Sequence, residues 1–393
     1  MQDDALFADI KSVLNEPADA TGLGNRSYTD AALFRYERDA VVGKSWSAVC
    51  FTSDLPQVGF AHPVQFMGLP LLVVRDRDDE LRVFHNVCRH RGMTLVENPM
   101  SLRQLIRCPY HSWAYDLHGQ LKSTPHIGGS DQHQCEGFDP TEISLKSVRS
   151  ATWLGMVFVN LSGDGESFDR FIEPLLSRWN ALIAPEQYAN LKPAPGGSRR
   201  DLIVQCNWKL PVENYCEAYH LPWVHPDLNR YSPLSEHFNI MVEQSMSGQG
   251  SRNYEPAKVA GEQLPVIPSW PQDRLQHAEY ISLYPNVLLG IQADHAVTMI
   301  LVPVNEQQTV ERFQLSFAAS GATDDRYEAC REAVIQRWNI VFGEDVFAVE
   351  GMQKGRLSPG FDGGLFTPVQ DLPTHHFHQW VARKYLAGIE SPD

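Results

Sequence analysis

The sequence has no run of about 18 apolar residues, so no segment reads as a membrane span. It is short of positive charge: 33 Lys and Arg stand against 48 Asp and Glu, a formal net charge of −15. Such a chain repels phosphate backbones, which argues against nucleic-acid binding. Cysteine is scarce and scattered, at Cys50, Cys88, Cys108, Cys135, Cys206, Cys216 and Cys330. An odd number without a regular framework argues against a secreted disulfide fold and for reduced thiols in a cytoplasm. The opening MQDDALFADI has no basic patch followed by an apolar stretch, so no secretory signal is read there. Internal repeats and low-complexity segments are absent as well.

What is present is a 393-residue chain, 43% hydrophobic, enough for two domains or for a large domain with a smaller one inserted. Residues 28–45 read as a helix with Asp30 as cap and Leu33, Phe34, Tyr36 and Val41 on its apolar side. From Trp46 to Leu161 the pattern is short apolar or alternating runs. VQFMGLPLLVVRDRDDELRVFHNVC reads as strand, turn, strand about Asp78-Asp79, and ATWLGMVFVNL as one further strand. SGDGESF marks a boundary, and a helix is expected over 167–183. Beyond it come a strand near 200–207, a helical NWKLPVENYCEAYH, several antiparallel strands, and a long helix over 324–357 with Thr323 and Asp324 as candidate caps. Strands followed by a long helix make an α+β pattern.

Within the β-rich part, Cys88-x-His90 and Cys108-x-x-His111 stand in mirrored pairs. Thiolates and imidazoles at loop tips are soft ligands, fit for zinc or for iron–sulfur. Zinc fingers often pair cysteines first and histidines second, whereas here each half carries one of each. A [2Fe–2S] cluster takes that mixture when two thiolates hold one iron and two imidazoles the other, and this raises its reduction potential. A second constellation lies in CNWKLPVENYCEAYHLPWVHP, residues 206–226. On a straight helix five steps turn about 500°, which sets the rings of His220 and His225 about 140° apart. Pro222 between them disfavours helix at Leu221, so a helix ending there would bring His225 back beside His220. Two histidines and one carboxylate on one face of Fe(II) leave positions open for oxygen and substrate. FGEDVFAVEGMQKG offers Glu344, Asp345 and Glu350 as the third ligand.

With CRHRG and CPYHSWAYDLHG spaced as C-x-H-x17-C-x-x-H, and HLPWVH downstream, the chain resembles the terminal oxygenase (alpha) subunits of the Rieske non-haem iron oxygenases. The resemblance implies a small all-β Rieske domain (46–161) inserted in a helix-grip-like catalytic domain of antiparallel sheet and long helices (1–45 and 162–393). It implies that Cys88, His90, Cys108 and His111 bind a [2Fe–2S] cluster, with Gly92 and Pro109 shaping the loops and Trp113 and Tyr115 shielding it. It makes His220, His225 and Asp345 the ligands of a mononuclear Fe(II), because Glu350 and Gln353 follow Asp345 at the family's spacing. Glu217, three residues before His220 and so on one helical face with it, matches the acidic residue that bridges the cluster of one subunit to the iron of the next. Asn214 is expected to serve the reaction beside it, and Glu213 to support the ligands or to lie on the helix surface. Glu where the family more often has Asp, and the short spacing from Glu213-Asn214, resemble the branch that oxidises carnitine and glycine betaine.

The implied partners are O2, a small organic substrate, and a flavin or iron–sulfur reductase fed by NAD(P)H, with the chain in a homotrimer. Quaternary-amine oxidation and aromatic ring hydroxylation both stay open, as does an electron carrier without oxygenase activity. Cation recognition calls for aromatic faces, for which Tyr215, Trp223 and Tyr231 are candidates, with Gln292 or His295 also near the pocket. An aromatic acid calls for a buried Arg or Lys, which the sequence does not single out. No role is read for the tail GLFTPVQDLPTHHFH.

Overall fold

The computed structural model describes residues 10–195, 197–243 and 245–390; the signal-free reading of the first nine residues lies outside them. No described helix is long and apolar enough to cross a membrane. The chain forms two compact units, one of Ser47–Asp164 and one of the residues up to Trp46 together with those from Gly165 onward.

The Ser47–Asp164 unit is all β. Its main sheet has the spatial order Ser47–Phe51, Met156–Asn160, Ser147–Trp153, Leu81–His85, Leu69–Arg75, Phe60–Phe66 and Met100–Ser101. A small sheet of Leu105–Arg107, Ala114–Asp116 and Leu121–Ser123 stands beside it. Leu72, Val74, Phe84, Ile106, Trp113 and Tyr115 are buried in their common core. Two stretches expected as single strands are hairpins. The chain reverses at Met67-Gly68 (φ 49° and 80°) and at Leu154-Gly155 (φ 47° and 73°). Two consecutive positive φ angles match the twist of a tight hairpin, and Met and Leu give no composition signal for such a turn. The turn expected at Asp78-Asp79 is present, organised by Asp76, whose Oδ1 accepts from Asp78 N (2.9 Å) and Glu80 N (3.0 Å).

The second unit is built on an antiparallel sheet in the order Leu191–Pro193, Gln308–Ala318, His295–Asn305, Val287–Ile291, Ala278–Leu283, Met246–Ser251 and His237–Val242; Arg199–Val204 also pairs with Gln308–Ala318. The Lys209–Cys216 helix lies on this sheet, between the long Glu328–Gly355 helix and the C-terminal Leu372–Glu390 helix. The expected helix over 28–45 is interrupted. Asp30 ends the Arg26–Thr29 turn and caps the Ala31–Glu37 helix through Ala32 N and Leu33 N. The 167–183 helix is Phe168–Trp179, capped by Ser167. Asp324 caps a 3-10 turn rather than the long helix itself.

The tail has a structural role that the sequence did not disclose. His375 Nε2 reaches Val13 O (2.8 Å), His376 Nε2 reaches Glu243 O (2.6 Å), and His378 Nδ1 accepts from Leu23 N (3.0 Å). The same helix closes a buried charge pair: Lys209 Nζ lies 2.5 Å from Glu37 Oε1, both side chains fully buried. Trp208 Nε1 and the Tyr385 hydroxyl also donate to Glu37. Burial pulls the Lys209 pKa down, and the neighbouring Glu37 carboxylate opposes this. Removing one partner would leave the other charge buried and unpaired, so Glu37→Gln should cost about 3–5 kcal/mol in urea unfolding. A loss under about 1 kcal/mol would show that the pair does not tie the N-terminal, central and C-terminal helices together.

Candidate metal centres and the cavity beside one of them

At one end of the β unit, two loops share one hydrogen-bond pattern. Cys88 N donates to Met93 O (2.8 Å) and Gly92 N to Cys88 O (3.1 Å); Cys108 N donates to Trp113 O (2.8 Å) and Ser112 N to Cys108 O (3.1 Å). Gly92 takes φ 74°, which needs no Cβ, and Pro109 lies in the second turn. Both cysteines are buried, while His90 is exposed and His111 half-buried. The two imidazoles lie 4.8 Å apart between centroids, and Trp113 stacks on His90 at 4.6 Å and 8°. The Tyr115 hydroxyl is 3.3 Å from Cys88 Sγ and accepts from Arg89 N.

Burial, and then the adjoining Cys88 thiol, push the Cys108 pKa up. Such a thiol becomes a thiolate when cations join it, so the donor set fits a metal centre. It does not fit one ion. Among the described residues, the groups of three ligand atoms within 4.8 Å of one another include none from these four residues. Single-ion coordination needs donors closer than that, whereas a two-iron cluster holds its thiolates and imidazoles on separate irons.

In the second unit, His220, His225 and Asp345 do bring three ligand atoms within 4.8 Å. The local chain path differs from the expected one. The helix stops at Cys216, and Glu217 is extended (φ −127°, ψ 162°), so Glu217 and His220 do not share a helical face. A new short helix, Leu221–Val224, starts after His220 with Pro222 in its first turn. There the missing N–H costs nothing, and Pro222 begins a helix instead of ending one. His225 closes that turn through its N–H to Leu221 O (2.9 Å), which brings the two rings to 5.1 Å.

Carboxylates fix both rings. Glu217 Oε1 lies 2.6 Å from His220 Nδ1, and Glu344 Oε2 lies 2.7 Å from His225 Nδ1. A carboxylate only accepts, so each Nδ1 carries a proton, which makes Nε2 the nitrogen that can bind a metal ion. Those Nε2 atoms turn toward Asp345 Oδ1, at 3.8 Å for His220 and 2.9 Å for His225. Asn214 Nδ2 donates to the same oxygen (2.9 Å). Burial disfavours a charged His225, but Asp345 and Glu344 outweigh burial and raise its pKa. Two imidazoles facing three carboxylates thus attract positive charge, and the donor set suits Fe(II).

Glu350 and Gln353 serve the fold, accepting from Gln205 N (3.0 Å) and Asn207 N (2.9 Å). Glu213 is buried on the other side of its helix, paired with Arg356 (3.4 Å) and His378 (3.2 Å). Burial would raise its pKa, and His378, Arg356 and Tyr28 together bring it below the ordinary range.

Beside the triad lies a narrow cavity of about 50 Å³. Tyr215, Tyr231, Tyr254, Tyr280, Trp338 and Phe342 give it aromatic walls. Tyr215 and Tyr231 were expected there; Trp223 is 71% exposed and does not line it. His295 is buried behind the wall, where Nε2 accepts from Trp338 Nε1 (2.8 Å). Trp338 and Phe342 stand seven and three residues before Asp345 on one helix, a spacing that could have disclosed them. Tyr254, Tyr280 and Arg337 carry no such signal. Arg337 also lines the cavity, its guanidinium 4.2 Å over the Tyr231 ring. Arg337 is half-buried, not the buried cation that an aromatic acid was expected to need.

The chain matches the family model for the ring hydroxylating alpha subunit catalytic domain over residues 189–387, and that for the Rieske [2Fe-2S] domain over 45–136. It is 28% identical over 382 residues to the carnitine monooxygenase oxygenase subunit of Escherichia coli (strain K12), covering 94% of this chain and 95% of that one. It is 26% identical over 398 residues to the glycine betaine monooxygenase oxygenase subunit of Chromohalobacter salexigens, covering 93% and 86%. The solved structure of a quaternary ammonium Rieske monooxygenase shares its fold at a TM-score of 0.78, with 22% identity over 95% of this chain and 98% of that one. The chain therefore belongs to the ring hydroxylating alpha subunits, the catalytic components of Rieske non-haem iron oxygenases, a family whose cofactors are a [2Fe–2S] cluster and a mononuclear iron.

Proposed function

We propose that this oxygenase acts on a quaternary ammonium compound, hydroxylating it or removing an N-methyl group. The observation that carries the reading is the aromatic cavity next to the His220, His225 and Asp345 triad. Aromatic faces attract a trimethylammonium group that no carboxylate needs to neutralise. Arg337 already covers one face of Tyr231, so the surfaces left for the cation are those of Tyr215, Tyr254, Tyr280 and Trp338. The names of the two curated relatives agree with this substrate class.

In this reading His220, His225 and Asp345 hold Fe(II), and Cys88, His90, Cys108 and His111 hold the cluster. Bound there, the iron supplies oxygen activation and the cluster supplies electrons one at a time. The protein's own part is positioning. Glu217 and Glu344 fix the imidazole tautomers, and Asn214 holds Asp345 Oδ1 from the side of the cavity. Leu221, Leu228, Val341 and Phe342 line the cavity with apolar surface that excludes water. For demethylation the balance is one O2, two electrons and two protons per substrate. One oxygen atom leaves as water, and the other enters an N–CH3 group as a hydroxymethyl that breaks down to formaldehyde and the tertiary amine, releasing one proton.

The electron donor is a flavin or iron–sulfur reductase fed by NAD(P)H. The assembly is a homotrimer in which Glu217 bridges to a neighbour's cluster, and the compartment is a cytoplasm. A second reading, ring hydroxylation of an aromatic acid, draws on Arg337 in the cavity wall. A reconstituted assay with a suitable reductase separates the two. Trimethylammonium substrates should give formaldehyde or a hydroxylated amine in proportion to NADH consumed. Ring-hydroxylated or diol products from an aromatic acid, with quaternary amines inert, would contradict the proposal.

A further inference from the structure

One residue of the cavity wall differs from the others in what stands behind it. Trp338 lines the space that His220, His225 and Asp345 border, and it precedes Asp345 on the same helix by about 10 Å along the axis. Its indole Nε1–H donates to His295 Nε2 (2.8 Å), and His295 Nδ1 lies 2.6 Å from Asp294 Oδ1. An indole nitrogen only donates, so His295 Nε2 holds the lone pair and Nδ1–H points at the carboxylate. All three side chains are buried. A backbone carbonyl would satisfy the indole N–H as far as the fold is concerned. A histidine backed by a carboxylate is instead a base aimed at that N–H. The carboxylate fixes the tautomer and stabilises the imidazolium that a transferred proton would make.

The phenols of Tyr215 and Tyr280, on the same cavity, lack such a base. Their hydroxyls are buried without a hydrogen-bond partner among the described residues, and burial pushes their pKa values up. An aromatic ring that loses an electron becomes a strong acid. If its proton has nowhere to go, a positive charge stays in an apolar interior, which is costly. Of these three rings, Trp338 is the one that can shed that charge as it is oxidised, because His295 takes the proton and Asp294 pairs the imidazolium.

We infer that Trp338 is a redox-active residue that discharges the iron site when oxygen activation is not followed by attack on substrate. The inference rests on His220, His225 and Asp345 holding iron, and not on the class of substrate. In each event one electron leaves the indole for the oxidising equivalent left at the iron, the Nε1–H bond breaks, and the proton passes to His295 Nε2. The products are a neutral indolyl radical and an imidazolium paired with Asp294. One electron from the reductase, with the proton returned from His295, restores the indole. The ligands His220 and His225 are thereby spared oxidation. Asp294 and His295 are positioning residues, since they act on this reaction only through Trp338.

To test this, the full-length chain, loaded with cluster and iron and reduced, is mixed with hydrogen peroxide in the absence of substrate and frozen. Electron paramagnetic resonance reads the radical, and peptide mass spectrometry maps the oxygenated residues. Wild type should give an organic radical whose signal changes when the protein carries ring-deuterated tryptophan, together with oxygenated indole at Trp338. Trp338→Phe should lose that signal and gain oxygenated His220 or His225. His295→Gln keeps an acceptor for the indole N–H but no base, so its radical yield should fall at least about tenfold at unchanged iron content. Asp294→Asn leaves the imidazole in place and should lower the yield in the same direction, which keeps the test open if the His295 variant does not fold. The same radical in Trp338→Phe, or an equal yield from wild type and His295→Gln, would overturn the inference while the iron site stands. So would an iron-loaded wild type with no oxygenated Trp338. A wild type without the lone iron would remove the triad assignment and this inference together.

Discussion

Asp345→Asn is expected to abolish product formation, by at least about a thousandfold, or about 4 kcal/mol of barrier. The cluster's spectrum should stay unchanged. Asp345 supplies the only negative ligand proposed for the lone iron. Its Oδ1 is also the point on which His225 Nε2 (2.9 Å) and Asn214 Nδ2 (2.9 Å) converge. An asparagine keeps the shape but loses the charge, and its amide must turn an NH2 group either against Asn214 Nδ2 or toward the metal position. Glu344→Gln provides the contrast. Glu344 bonds the far side of His225 at Nδ1, so its loss should loosen the metal about 10–100-fold without removing a ligand. Metal content and product yield, measured on both variants, check the pair. An Asp345→Asn enzyme that kept a tenth of its activity would show that another group, Glu344 first, completes the site.

Glu217→Gln is the second large effect, expected at about a hundredfold in turnover with both metal centres still loaded. Both Glu217 oxygens accept: one from His220 Nδ1–H, the other from the backbone N–H of Tyr219 and of His220. Glutamine has one acceptor oxygen. Whichever way its amide turns, an NH2 group faces a donor, either the imidazole or the backbone turn. The ring then loses the anionic partner that fixes its orientation, while its Nε2 stays in place as a ligand. Glu217→Asp keeps both acceptors on a chain one methylene shorter and should recover to within about tenfold of wild type. Single-turnover oxidation of the reduced cluster reads the effect directly. Equal damage from Gln and Asp would point to side-chain length, and not the acceptor pattern, as what matters.

The candidate ligands Cys88, His90, Cys108 and His111, and the pair His220 and His225, were legible because each group sits in one stretch where residue type and spacing suggest the chemistry, whereas Asp345, 120 residues beyond His225, was singled out only by the family spacing of Glu350 and Gln353. The path of the chain between them was less so. Spacing alone put Glu217 on a helix with His220, yet the helix ends at Cys216, and it is the extended Glu217 that lets the carboxylate turn back on the ring. Pro222 was read as a stop because a proline after a helix usually is one; its place in the first turn of a new helix depends on that earlier break. Most of the cavity was hidden for a different reason. Tyr254, Tyr280 and Arg337 come from a loop, a strand and a helix far apart in sequence, and only the sheet register and helix packing join them. The histidines of the tail were opaque in the same way, since their partners are Val13, Leu23, Glu213 and Glu243.

Two separate iron sites on one polypeptide are the core of this picture, and elemental analysis of wild type beside His225→Ala tests it most directly. Wild type should carry about three irons and two acid-labile sulfides per chain, and the variant about two of each, since only the lone iron depends on that imidazole. Zinc without sulfide in wild type, or loss of sulfide together with iron in the variant, would contradict it.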